Sequence, residues 1–143
     1  MSLANWEVYD YEVAMFQNML SLCRNGDYKR YPEPIQNAVV ESLLIHIRIL
    51  IEILLDRDKE ADAVRLETLL PKFTSTKIGE LDATYGKRNI PGCPYWTINK
   101  RLAHSTNIRV AGFDYMKTIN AVSPLILSLV SDVDNERRTR GLR

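Results

Sequence analysis

The sequence holds two cysteines, Cys23 and Cys93, and two histidines, His46 and His104. The cysteines have no metal-ligand spacing and the histidines form no pair at metal spacing, so neither a zinc site nor any other metal or cofactor is expected. The six glycines build no phosphate-cradling loop, and no Ser or Cys sits in a nucleophile turn. No alternation of β-branched residues is long enough to read as a strand. Nor is there a clean apolar run of the ~20 residues a membrane span needs. The opening residues, MSLANWEVYDYE, lack the basic and apolar regions of a signal peptide. Cysteine use this sparse fits a reducing compartment. These absences lead us to expect a cytoplasmic, all-helical chain without a membrane partner.

What is present is a stretch from Pro34 to Leu55, PIQNAVVESLLIHIRILIEILL, without an internal glycine or a second proline. On a helix its apolar side chains point to every side, which marks a helix surrounded by protein. Glu41, His46, Arg48 and Glu52 argue against lipid as the surroundings. Asn37, Glu41, Arg48 and Glu52 fall near one line of that helix. They are read either as a ladder on the wet edge, Arg48 pairing with Glu52, or as the floor of a polar pocket or subunit interface. His46 lies off the line and is read as a satisfied or partly exposed histidine.

With 143 residues the chain is long enough for one domain with a real core. Net charge is +1, but residues 1–70 carry seven Lys or Arg against twelve Asp or Glu, while residues 71–143 carry twelve against six. Either the second half meets an anionic partner or the two halves complement each other, within the fold or across a dimer.

A first helix is expected from about Asn5, as N-cap, to Cys23, with Trp6, Tyr9, Val13, Phe16 and Leu20 as its apolar seam. Gly26 suits a left-handed helix end. The central helix starts at Pro34 and either runs past Leu55 or is followed by a third helix over about Lys59 to Leu70. Residues 71–95, dense in glycine and proline, read as one long irregular loop with at most a short helix around Ile78 to Ala83. A helix then opens near Pro94 and carries WTINKRLAHSTNIR. The last helix is expected from about Asp114 to Val130, kinked at Pro124. Residues 1–131 would form the bundle domain, an antiparallel bundle of about five helices, and residues 132–143 a polar, basic tail.

His104 is the stronger acid–base candidate, because Lys100, Arg101, Ser105, Thr106 and Arg109 crowd it in sequence. An imidazole beside fixed cations is what attack of a 2′-hydroxyl on an RNA phosphate requires: the histidine moves the proton and the cations hold the developing charge. No metal takes part in that chemistry.

The stretches Asn37-Ala38-Val39-Val40-Glu41 with His46-Ile47-Arg48, and Ile98-Asn99-Lys100-Arg101-Leu102-Ala103-His104-Ser105-Thr106, resemble the HEPN superfamily. Its members are small helical bundles, many of them metal-independent RNases of defence and toxin–antitoxin systems, and most dimerise. The resemblance implies His104 as the family histidine. The arginine and polar residue that usually precede it fall at Asn99 and Lys100 here, so Lys100 or Arg101 would take the arginine's role. Glu41 and Arg48 on the second helix would complete the site. Two functions follow. One is an RNA-cleaving or RNA-binding homodimer with His104, Asn99 and Lys100 at the catalytic centre and Arg101, Arg109, Glu41 and Arg48 binding or orienting. The other is a non-catalytic interaction module, antitoxin-like or regulatory and paired with another protein, in which these polar residues fix helix register.

Overall fold

The computed structural model describes residues 3–103 and 115–142, and among them every regular element is helical. α1 spans Leu3–Arg24, α2 Glu33–Leu54, α3 Leu66–Leu69, α4 Thr76–Tyr85, α5 Pro94–Ala103 and α6 Tyr115–Thr139, with a 3₁₀ turn at Asp27–Arg30. α1 lies along α2; α5 is held between α2 and α6, and α4 packs on α6. The protein is an all-α helical bundle.

α1 forms because Trp6, Tyr9, Phe16, Leu20 and Cys23 recur at helical spacing, and all five are buried. It begins at Leu3, so Asn5 sits within the first turn rather than capping it. It ends where Gly26 takes a left-handed φ of 72°, its N–H donating to the Cys23 carbonyl.

α2 is sealed only over its second half, where Leu43, Leu44, Ile47, Leu50 and Ile51 are fully buried. Pro34, Ile35, Asn37 and Ala38 in its first half are exposed, and so is Ile45 further on. The expectation of a helix enclosed along its whole length is therefore corrected: α1, α5 and α6 cover one side and one end.

α2 does not run on past Leu55. Asp56 adopts φ 52°, and the N–H groups of Asp56 and Arg57 turn back to the carbonyls of Ile53 and Glu52. This is the paired-bond termination that usually carries glycine. The helix expected over Lys59 to Leu70 shrinks to the four residues of α3. The chain before it is held by side chains instead: Asp58 accepts from the Glu60 N–H, and Lys59 donates to the Asp56 carbonyl. Such local bonds offer the backbone an alternative to the helix. The Asp56 carboxylate accepts the Glu67 N–H at 3.1 Å, capping α3.

The stretch expected to be mostly irregular, 71–95, contains the ten-residue α4, which takes in the short helix expected around Ile78 to Ala83. Ser75 caps it, accepting from the Lys77 N–H at 3.2 Å. Ser75 and Lys77 both bond Asp132 of α6, each at 3.0 Å. α4 ends at Gly86, where φ is 80° and a Cβ would meet Cys93 Sγ at 2.7 Å. Only glycine fits there.

α6 passes through Pro124 and continues to Thr139, well beyond the expected end at Val130. Most of the expected basic tail is thus helix. Val133 is fully buried, and Arg137 makes two bonds to Asp10 at 2.7 and 3.2 Å. The Arg137 guanidinium lies 4.0 Å above the Trp6 ring centroid, a cation–π contact. Here the basic second half of the sequence complements the acidic first half inside the fold.

Candidate functional site

The first stretch of the resemblance lies on α2 and the described part of the second, residues 98–103, on α5, and an ion pair joins them. Arg101, buried in the last turn of α5, places Nη2 3.1 Å from Glu41 Oε1 on α2. The Tyr115 ring, at the start of α6, lies 5.1 Å from the same guanidinium. Three helices therefore meet at one cation. A guanidinium can serve a carboxylate and an aromatic face together because it is planar and weakly hydrated. The structure places Arg101 in this joint rather than on the surface.

Asn99 is half-buried on α5. Lys100 holds its Nζ 5.7 Å from the Trp96 ring centroid one turn earlier. His104 and Arg109, with Ser105 and Thr106, lie outside the described residues. Asn37 is exposed at the open start of α2. Of the four polar residues on one line of α2, Glu41 is brought to the α5 stretch, while Arg48 Nε bonds Glu52 Oε1 at 3.2 Å along the helix. That is the wet-edge pairing read from the spacing. Ile45, Arg48, Ile49 and Glu52 of α2 and Leu102 of α5 line a shallow depression beside the end of α5.

His46 is the satisfied histidine. Its Nδ1 lies 2.6 Å from Glu12 Oε2, with both residues buried between α1 and α2. The Tyr11 ring meets the imidazole edge-on, 5.9 Å between centroids. Glu12 is the residue the sequence reading missed. The available signal was its position: it falls three residues after Tyr9 and four before Phe16, on α1's buried side.

Arg57 donates to Asp82 and to the Gly86 carbonyl and stacks on Tyr85 and Tyr95. Burial pushes the Cys23 thiol above its ordinary value, which makes it a poor thiolate nucleophile. The Tyr9 phenol is pushed up chiefly by burial and also by Asp134; its hydroxyl has no hydrogen-bond partner among the described residues. Among the described residues, no three His, Cys, Asp or Glu side chains gather where a metal would sit, and no helix is long and apolar enough to cross a membrane.

No protein-family model matches the chain, no curated protein is similar to it at a significant level, and no solved structure matches it at that level.

Proposed function

We propose that this chain is a HEPN-like protein that handles RNA as a homodimer, as members of defence or toxin–antitoxin systems do. The end of α5 is its RNA-facing element and His104 its acid–base residue. The observation that carries the reading is the Glu41–Arg101 bond. It ties the two stretches of the resemblance together and anchors the helix that leads into His104. Lys100, the next cation on α5, is the residue we assign to phosphate, with Asn99 beside it. Arg101 anchors the helix, and Glu41 acts through Arg101 as a positioning residue.

A specific observation also supports the second reading, a non-catalytic module that binds another protein. Arg101 spends its charge inside the bundle, so one cation of the expected site is withdrawn from phosphate. Incubating a labelled single-stranded RNA with the purified protein in EDTA separates the two. Cleavage by the wild type that is lost in His104→Ala supports a metal-independent nuclease. Binding without cleavage leaves an RNA-binding member. Neither binding nor cleavage removes RNA from the reading in favour of the interaction module.

A further inference from the structure

The large apolar side chains left exposed include Val8 and Tyr11 on α1 and Ile45 on α2. Val8 and Ile45 belong to one surface. Ile49 and Glu52 line the depression that reaches Leu102 of α5, and also a second one that reaches Val8 of α1. Tyr11 lies three residues after Val8 on α1 and meets the His46 ring edge-on. Between the flanks, Ile45, Arg48, Ile49 and Glu52 follow the 0, 3, 4, 7 spacing that one helix presents to another. Among the described residues no helix covers that seam.

We propose that a second copy of the chain covers it, α2 crossing α2 in antiparallel sense, each copy's Arg48 facing the other's Glu52. This rests on the two-copy half of the reading above and not on its RNA half. Charge order selects the occupant. A two-fold axis midway between Arg48 and Glu52 brings plus opposite minus twice, and Ile45 and Ile49 of each copy onto the apolar surface of the other. Parallel packing would set Arg48 against Arg48. A partner surface of a single sign would be repelled by one member of the pair. A self-complementary patch is what an isologous dimer requires. The Arg48–Glu52 pair is only part-buried within one chain, so its charges remain accessible to a second copy.

The test is the mass in solution, by sedimentation equilibrium, of the wild type, Arg48→Glu, Glu52→Arg and the double charge swap. The wild type is expected to be a dimer. Each single variant opposes like charges at both contacts and weakens self-association by at least about tenfold. Mixing the two single variants gives a heterodimer, since every Glu then faces an Arg, and the double swap dimerises with itself. Circular dichroism of each variant separates lost association from lost folding. Should either charge variant unfold, Ile45→Glu tests the same face. A monomeric wild type overturns this inference and the two-copy reading together. A dimer indifferent to the charge variants, or single variants that fail to pair on mixing, overturns this inference alone.

Discussion

Among the described residues, three pairs of an acid with a nitrogen base involve α2, and they sit at three depths. The side chains of His46 and Glu12 are 11% and 9% exposed; those of Arg101 and Glu41, 11% and 32%; those of Arg48 and Glu52, 40% and 30%. The attraction is similar in kind, but what happens when one partner is lost is not. A sealed partner has no water to turn to, a half-open one has some, and an exposed one hardly registers the change. The depth of a pair on α2 therefore indicates whether it holds the fold or is available for something else.

Glu12→Ala is the sharpest way to break this ordering. It leaves His46 Nδ1 orphaned between α1 and α2 and should cost about 2–3 kcal/mol. Urea denaturation followed by helical circular dichroism would measure it. Replacing both members with leucine should recover most of that loss, because a well-packed apolar pair is often no worse than a buried hydrogen-bonded one. Arg101→Met should cost less, about 1–2 kcal/mol, since Glu41 is left with access to water. If Arg101→Met proved the costlier change, the Tyr115 stacking would have to be the larger contribution at that joint.

Two acids on α6 extend the contrast to pH. Asp132, bonded by Lys77 and Ser75, is held below the ordinary carboxylate value of 3.8, chiefly by the Lys77 bond. Asp134, two residues on, is raised by burial. A depressed carboxylate contributes stability that is present above its unfolded value and lost as pH falls through its folded one. Acidification below about 4 should therefore loosen the α4–α6 contact through Asp132. Asp134 acts with the opposite sign, favouring the fold as it takes up its proton. In a pH series of urea midpoints, Asp132→Asn should lie below the wild type at neutral pH and converge with it in acid. Parallel curves would mean that the Lys77 bond contributes nothing to the fold.

The same contrast explains how much of the molecule could be read from its residues. α1, its aromatic seam and its end at Gly26 were legible because spacing and a left-handed glycine are local signals. So was the Arg48–Glu52 pair, four residues apart on one helix. The Glu12–His46 pair joins positions 34 apart, and nothing near either residue announces the other. The middle of α4 was legible as a short helix around Ile78 to Ala83, but its full length among glycines and prolines was not, because part of what holds it is Asp132, 57 positions from Ser75. The last turns of α6 looked like solvated tail for the same reason: their anchor, Asp10, lies 127 positions from Arg137. Of the candidate site, spacing gave the line of polar residues on α2 but not the depth at which each would sit.

Arg48→Ala and Glu52→Ala should change least. The pair is part-exposed and four residues apart, and such pairs contribute about 0.3–0.5 kcal/mol to a helix. That small value makes the pair a clean reporter. If two copies meet through it, unfolding of the wild type becomes concentration-dependent, since mass action adds association to folding stability. Dilute wild type and dilute Arg48→Ala should then unfold at nearly the same urea concentration. On raising the protein concentration the wild-type midpoint should climb while that of the variant lags. A difference that is large in dilute solution would place the pair among those that hold the fold, and the ordering by depth would fail at its exposed end.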